Sequence, residues 1–219
     1  MTLHIDLIAD FICPWCHVGE ARRRSALQRL AEKRPEVQVE IQRLPFFLDD
    51  TTPPEGYAYQ PYLEKKFGSA EAVAELQSQV AAAGAADGAR FAFDKIALRP
   101  NTLPAHRLIL QLQALGADPV VISRLSQYIF SAYFEAGKDI GNARQLAMLA
   151  QLAGVEDKAL EAWLAGDDAA DEVRAVYEQV KALGIQGVPF FVFNQQFAVS
   201  GAQSPENLLI AMEQALDAD

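Results

Sequence analysis

Residues 3–24 read LHIDLIADFICPWCHVGEARRR. From Leu3 to Leu7 apolar and polar residues alternate, which predicts a strand with at least one buried face. From Val18 to Ala31 apolar residues recur at helical spacing with charged residues between them, which predicts an amphipathic helix. The stretch therefore predicts a strand, a short turn, a pair of cysteines and a helix, in that order.

The cysteine pair lies in the tetrapeptide Cys13-Pro14-Trp15-Cys16. Cys13 falls at the predicted start of the helix, where unpaired backbone N–H groups and the positive end of the helix dipole favour an anion. A thiolate is such an anion, and it is the form that attacks a disulfide. Pro14 suits a first helical turn because it lacks the N–H group that would have no partner there. Cys16 lies on the same helix face and can resolve a mixed disulfide by attacking Cys13.

A zinc site and a static disulfide are two alternatives for the cysteine pair, and the sequence supports both less well than it supports redox chemistry. Zinc sites need four ligands, whereas the chain has two cysteines and three histidines without ligand spacing, namely His4, His17 and His106. We therefore expect no metal. A static disulfide across so short a loop would restrain little of the unfolded chain. The sequence favours redox chemistry.

Composition limits the partners and the location of the protein. The 219 residues carry a net charge of −10, which argues against nucleic acid because phosphate binding needs a basic surface. No apolar run approaches the ~20 residues of a membrane span, and no signal peptide is visible. We expect a soluble cytoplasmic protein without a membrane partner, either a monomer or a homodimer. In a reducing compartment a cysteine pair is more often catalytic than structural.

The order of the remaining elements predicts the fold. A second strand from Val37 to Ile41 completes a β-α-β unit, and helical signals then follow one another from Tyr57 to Leu183, with an extended piece from Phe91 to Ile96. Two strands, at 190–193 and 197–200, and a last helix end the chain. This order predicts an α/β thioredoxin fold with a mixed four-stranded sheet and a large all-helical insertion. We assign residues 1–56 and 168–219 to a thioredoxin-like domain and residues 57–167 to an inserted helical domain.

Five segments together resemble the DsbA family, in particular its FrnE-like subgroup. They are DFICPWCHVGEARR at 10–23, PYLEKKFG at 61–68, RPNTLPAHRL at 99–108, AYFEAGKDIG at 132–141 and GIQGVPFFVFNQQFAVSGAQSPE at 184–206. The resemblance implies thiol–disulfide exchange, with Cys13 as the nucleophile and Cys16 as the resolving thiol. It also implies that Val188 and Pro189 form a cis-proline pair facing the cysteines.

The chain departs from its relatives around the cysteines. His17 and Glu20 stand where relatives commonly have tyrosine and lysine, so that Glu20 removes a cation from the first helical turn while His17 could supply one. Trp15 adds no charge between the cysteines. We therefore expect a weaker oxidant than the periplasmic DsbA enzyme. The arginines at 22–24 are expected to form a solvated face.

Further candidate residues lie at the start of an insertion helix. Asn101 is a candidate for the substrate site, although Asn101 or Thr102 could instead only cap that helix. His106 has the pattern of a core histidine rather than a catalyst. The full set of candidate site residues is Cys13 and Cys16 as catalytic groups, with Pro14, Trp15, His17, Asn101, Val188 and Pro189 around them.

The resemblance leaves three functions open. The first is a thiol–disulfide oxidoreductase or isomerase acting on protein or small-molecule thiols and disulfides, with no permanently bound cofactor. The second is a glutathione-dependent isomerase or transferase, because the same superfamily contains 2-hydroxychromene-2-carboxylate isomerases and kappa-class glutathione transferases, with glutathione as a co-substrate. Those enzymes commonly have serine in place of Cys13 and an acid before the last helix, where this chain has none until Glu206. The third is a holdase-like or biosynthetic accessory binding protein.

Overall fold

The computed structural model describes residues 1–218, and a four-stranded sheet organises them. Its strands are β1 (Thr2–Ala9), β2 (Gln38–Pro45), β5 (Phe190–Phe193) and β6 (Phe197–Ser200), in the spatial order β2-β1-β5-β6. β1 and β2 run parallel, whereas β5 is antiparallel to both β1 and β6. This mixed sheet confirms the predicted thioredoxin fold.

Helices cover both faces of the sheet. Helix α1 (Pro14–Lys33) follows β1, and α9 (Pro205–Asp217) ends the described chain. Apolar side chains of β1 and β5 pack with those of the two helices in one core, whose members include Leu3, Leu7, Leu30, Phe191 and Met212. On the opposite face, helix α8 (Ala170–Ala182) contributes Val173 and Tyr177 to a cluster with Ile8 and Phe46. The alternation in β1 thus places Leu3, Ile5 and Leu7 in the first core, whereas Ile8 belongs to the second.

The insertion between β2 and α8 is mostly helical. Its helices are α2 (Tyr59–Phe67), α3 (Ala70–Ala85), α4 (Leu103–Ala114), α5 (Pro119–Phe134), α6 (Ala143–Ala153) and α7 (Leu160–Ala165). Two of these helices begin at side chains that cap them. Ser69 accepts a hydrogen bond from the backbone N–H of Ala72 at the start of α3, and Asp118 accepts one from that of Val120 at the start of α5. The division of the chain into two domains stays a prediction.

Two features of the insertion differ from the sequence-based expectation. A small antiparallel sheet forms between β3 (Tyr57–Ala58) and β4 (Leu98–Arg99), where only helices were expected. The extended piece predicted at 91–96 is wrong in part, because Phe93–Lys95 form a turn of 3₁₀ helix. The Phe91 and Phe93 rings stack at 5.0 Å, and the N–H of Ala92 donates to the carbonyl of Phe134. These tertiary contacts turn the chain despite its alternating pattern.

Candidate active site

The two cysteines lie at the junction between β1 and α1. Cys13 is the N-cap residue of α1 and Pro14 is its first helical residue, as predicted. The backbone N–H of Cys13 donates to the Asp10 carbonyl at 3.0 Å, while the N–H of Cys16 donates to the Cys13 carbonyl at 3.0 Å. Both cysteines are buried free thiols. The local backbone therefore holds the first cysteine at the helix start and the second one turn further in.

Cys16 lies beneath Cys13 and is shielded from solvent. Burial raises the pKa of the Cys16 thiol well above its ordinary value, and a hydrogen bond with the Cys13 thiol and the nearby Asp10 carboxylate raise it further. Cys16 therefore stays protonated at neutral pH while Cys13 remains the outer thiol. The roles of Cys13 as nucleophile and Cys16 as resolving thiol stay predictions.

The loop before β5 faces Cys13. The Val188–Pro189 peptide bond is cis, and the Cys13 thiol donates to the Val188 carbonyl at an S–O distance of 3.7 Å. Pro189 packs against α1 at Gly19, where a Cβ atom would lie only 2.8 Å from the proline Cγ. Glycine at this position thus lets the loop approach the helix that carries the cysteines.

A cavity of about 450 Å³ opens beside Cys13, between the cysteine turn and the α2–α3 pair. Pro14, Trp15 and Val188 line it together with Cys13, whereas Cys16 does not border it. Large apolar side chains that are partly exposed gather along its walls, namely Trp15, Leu48, Phe67 and Leu76. Its volume and apolar lining are typical of a small-molecule site.

Asp10 is a site residue that the sequence analysis did not single out. Its carboxylate is buried, with one oxygen accepting from the N–H of Leu48 at 2.9 Å and the other lying 3.6 Å from Nε2 of His106. His106 packs between the Phe11 and Phe47 rings. The signal that could have found Asp10 was an acidic residue at the end of a buried strand, directly before the cysteine turn.

His17 does not supply a positive charge to the site. Its ring is buried among the phenylalanine rings of Phe91, Phe130 and Phe134, at centroid distances of 5.2, 5.5 and 5.4 Å. Burial lowers the pKa of His17 to about 4, so the imidazole is neutral at physiological pH. The expectation that His17 could replace a missing cation is therefore wrong.

Glu20 points away from the cysteines into a buried ionic cluster. Its carboxylate accepts from Arg23 at 2.5 and 3.0 Å and from Arg43 at 3.0 Å. Burial alone would raise the pKa of Glu20, but the two guanidinium groups lower it to about 2. Burial lowers the pKa of Arg43 to about 10, which still leaves this arginine charged at pH 7. Arg43 also donates to the Ser126 hydroxyl at 2.7 Å, so the cluster joins α1, β2 and α5.

The solvated arginine face that the sequence suggested is wrong for two of its three members. Arg23 is buried in the ionic cluster with Glu20. Arg22 donates to Asp87 at 2.7 Å and to the Ala83 and Ala202 carbonyls at 2.7 and 2.6 Å. It thereby connects α1 with the end of α3 and with the loop before α9. Only Arg24 of the three is exposed.

Asn101 lies apart from the cysteine cavity. Its side-chain amide donates to the Thr52 carbonyl at 2.6 Å and accepts from the N–H of Leu103 at 2.8 Å. Thr102 is the N-cap residue of α4, so the Asn101 side chain fixes the chain entering that helix. Asn101 borders a different cavity, with Phe47 and Tyr177. The structure thus brings together Cys13, Cys16, Pro14, Trp15, Val188 and Pro189 but not Asn101.

Within residues 1–218 no group of three or more His, Cys, Asp or Glu side chains could hold a metal ion. No helix in the described part of the chain is long and apolar enough to cross a membrane.

The fold and the site define a thioredoxin-fold protein with a Cys-x-x-Cys pair at the start of its first helix, opposite a cis-proline loop. Residues 4–213 match the family described as the DSBA-like thioredoxin domain. The chain belongs to this family. None of the curated proteins that were compared matches it.

Solved structures agree with the family assignment. A probable DsbA oxidoreductase from Streptomyces coelicolor has 29% sequence identity and a TM-score of 0.85, covering 99% of this chain and 91% of its own. The cytosolic disulfide reductase DsbM from Pseudomonas aeruginosa, described with glutathione, has 18% identity and a TM-score of 0.62, covering 99% and 100%. A 2-hydroxychromene-2-carboxylate isomerase shares the fold at 13% identity and a TM-score of 0.65, covering 98% and 95%.

Proposed function

We propose that the protein is a thiol–disulfide oxidoreductase or isomerase with Cys13 as the nucleophile and Cys16 as the resolving thiol. The observation that carries this proposal is the arrangement of two free thiols in contact, one bordering a cavity and one buried beneath it with a raised pKa. Membership of the DSBA-like family supports it. The apolar cavity beside Cys13 gives a disulfide substrate a place to bind.

The exchange would proceed in two steps. As a thiolate, Cys13 attacks one sulfur of the substrate disulfide. The substrate S–S bond breaks, a mixed disulfide with Cys13 forms, and the first substrate thiolate leaves. Cys16 then loses its proton and attacks the Cys13 sulfur, which expels the second substrate thiolate. The substrate gains two electrons and the protein is left with a Cys13–Cys16 disulfide, whereas the reverse sequence oxidises a dithiol substrate.

The surroundings of Cys13 would orient the substrate. The Val188 backbone lies within 3.7 Å of the Cys13 sulfur, where an extended substrate or glutathione can pair with it as an added strand. Pro14 and Trp15 form the adjacent wall of the cavity, and Pro189 fixes the loop against α1 at Gly19. The neutral His17 contributes packing rather than charge.

We place this activity in the cytoplasm, with protein or small-molecule thiols as partners, glutathione as a co-substrate and no permanently bound cofactor. The likeness to a disulfide reductase described as cytosolic and with glutathione supports this part of the proposal. Cell fractionation followed by trapping of the thiol state with a maleimide tests it. A protein found outside the cytoplasm with an oxidised pair would contradict the location.

Insulin reduction and refolding of scrambled ribonuclease test the reaction itself, with wild type, Cys13→Ala and Cys16→Ala compared. We expect Cys13→Ala to lose exchange and Cys16→Ala to accumulate mixed disulfides at Cys13 without turnover. Isomerisation of 2-hydroxychromene-2-carboxylate with added glutathione is measured in parallel. Full isomerisation by Cys16→Ala, with no disulfide turnover by wild type, would favour the glutathione-dependent enzyme. Client binding that survives loss of both cysteines would favour the accessory binding protein.

A further inference from the structure

Arg99 lines the cysteine cavity and carries a buried hydrogen-bond donor that has no partner among the described residues. Its side chain is 5% exposed, and Nη1 donates to the Thr52 hydroxyl at 2.6 Å and lies 3.7 Å from Asp49. The guanidinium also stacks over the Tyr62 ring at 4.3 Å. The second terminal nitrogen, Nη2, is buried and has no hydrogen-bond partner among residues 1–218. A buried charged donor without a partner is costly.

Tyr133 supplies a second such group to the same cavity. The residue is 1% exposed, and its hydroxyl has no hydrogen-bond partner within the described chain. Burial raises the pKa of this phenol well above its ordinary value, so it keeps its proton and can donate it in a hydrogen bond. Arg99 and Tyr133 both line the cavity that Cys13 borders. Residues of two separate elements, β4 and α5, thus line one cavity, and each carries a buried polar atom without a hydrogen-bond partner in the described chain.

The charged side chains that line the cavity are basic. Lys66 and Arg99 line it, whereas none of the lining residues in the described chain is Asp or Glu. The protein as a whole carries a net charge of −10, so this lining runs against the overall balance. Asp49 offsets part of the Arg99 charge through Nη1 but leaves Nη2 unpaired. The cavity therefore favours an anion over a cation.

We propose that the cavity binds a low-molecular-weight disulfide with an apolar body and a carboxylate, held by Arg99 Nη2 and the Tyr133 hydroxyl. Guanidinium and phenol donors suit the two oxygens of a carboxylate, and the apolar walls suit a short alkyl or aryl body. The volume of about 450 Å³ fits a small molecule, and the burial of both donors disfavours a bulky polypeptide as their partner. The proposal rests on the proposed function for its exchange step, in which the Cys13–Cys16 dithiol is oxidised to a disulfide and the substrate disulfide is reduced by two electrons to two thiols, of which at least one carries the carboxylate.

Binding is tested first without any sulfur chemistry. Calorimetry on the reduced full-length chain compares 4-phenylbutyrate with 4-phenylbutanamide, which share the apolar body and differ in charge. We expect the acid to bind about tenfold or more tightly, as a charge-assisted hydrogen bond would give. Equal affinities for acid and amide, or no binding of either, would overturn the proposal.

Two variants assign the preference to the named groups. Tyr133→Phe removes a hydroxyl that bonds nothing in the described chain, so we expect a free energy of unfolding equal to or above that of wild type. The same variant should lose several-fold in affinity for the acid and little for the amide. Arg99→Gln should remove most of the acid preference, and Lys65→Gln, an exposed lysine outside this cavity, is the matched control. An acid preference unchanged in Tyr133→Phe and in folded Arg99→Gln would refute the assignment.

Exchange kinetics then link the site to Cys13. Stopped-flow single turnovers of the reduced protein compare 4,4′-dithiodibenzoate with its diamide. We expect wild type to favour the acid by about tenfold, and Tyr133→Phe to reduce this ratio. Selective binding of 4-phenylbutyrate without any disulfide exchange would refute the proposed function but leave the acid site standing. Exchange with equal rates for acid and amide would refute the acid site and leave the function standing.

Discussion

Replacing Glu20 by glutamine tests the buried ionic cluster beneath the active-site helix. Glu20 is the acidic member of a cluster with two buried arginines, Arg23 and Arg43. Glutamine keeps the shape of the side chain but leaves two buried guanidinium groups without a counter-charge. Removing one partner of a buried pair costs about 3–5 kcal/mol of the free energy of unfolding. We expect Glu20→Gln to lose an amount in this range at pH 7.

The pKa of Glu20 gives a second measure of how much its charge contributes to the free energy of unfolding. The folded protein lowers this pKa from 4.5 to about 2, so between these values the unfolded chain binds more protons than the folded chain. The stabilisation is fully present above pH 4.5 and is lost as the pH falls to about 2. The shift corresponds to about 3 kcal/mol, which agrees with the cost of removing one partner.

Urea unfolding followed by circular dichroism at a series of pH values measures both quantities. The curves of wild type and Glu20→Gln should differ at pH 7 and converge as the pH approaches 2, because protonated Glu20 resembles glutamine. The exposed Glu206, which pairs with Arg29 at the protein surface, provides the control Glu206→Gln, for which little change is expected. Equal stability of Glu20→Gln and wild type at pH 7, or a difference that does not vary with pH, would refute the reasoning.

Three other perturbations act on the site itself. Limiting iodoacetamide at pH 7 should label Cys13 before Cys16, because burial and contact with Cys13 raise the pKa of Cys16; peptide mapping that finds Cys16 labelled first would reverse their roles. Gly19→Ala should slow insulin reduction several-fold, since the new Cβ would lie 2.8 Å from Pro189 and push its loop away from the cysteines; an unchanged rate would show that the loop yields freely. His17→Phe should keep exchange activity. In wild type, about 3 kcal/mol of the free energy of unfolding should be lost as the pH falls from 6.5 to about 4, because the unfolded chain binds a proton at His17 that the folded chain excludes. Urea unfolding at both pH values should show that His17→Phe lacks this loss, and a loss that persists in the variant would contradict the assignment.

The first β-α-β unit was predictable because its signals are local. The alternation in β1, the proline after Cys13 and the helical spacing that follows each depend on neighbours a few residues away. The structure places β1 at Thr2–Ala9 and begins α1 at Pro14, as the pattern indicated. The two strands before α9 were predictable for the same reason.

The side-chain environments were not predictable, because distant residues set them. In the sequence, Arg23 and Glu20 have the pattern of an exposed helix face. In the structure they are buried, and Arg43 of β2 donates to Glu20. A histidine next to Cys16 in the sequence suggests a positive charge near the cysteines. The rings of Phe91 and Phe134 instead surround His17 with apolar groups. The two-residue strands β3 and β4 are too short to show any period.

The sequence could not predict that Arg99 and Tyr133 line the same cavity, because this too depends on residues far apart in the chain. Arg99 falls inside a segment that resembles the family, and Tyr133 falls inside another, yet neither segment indicates that both residues border one cavity. Only the tertiary fold brings β4 and α5 to the same wall.

The order of strands in the sheet has a consequence for biosynthesis. Central strand β1 pairs on one side with β5, where Ile5 is opposite Phe193, so its partner is made almost last. At about 5–20 residues per second, a ribosome takes roughly 10–40 s to pass from the end of β1 to β5. Throughout that interval β1 has at least one open edge, and its apolar side chains lack the Phe191 and Phe193 rings that cover them in the finished core. Nascent chains should therefore need protection from edge-to-edge association until β5 emerges.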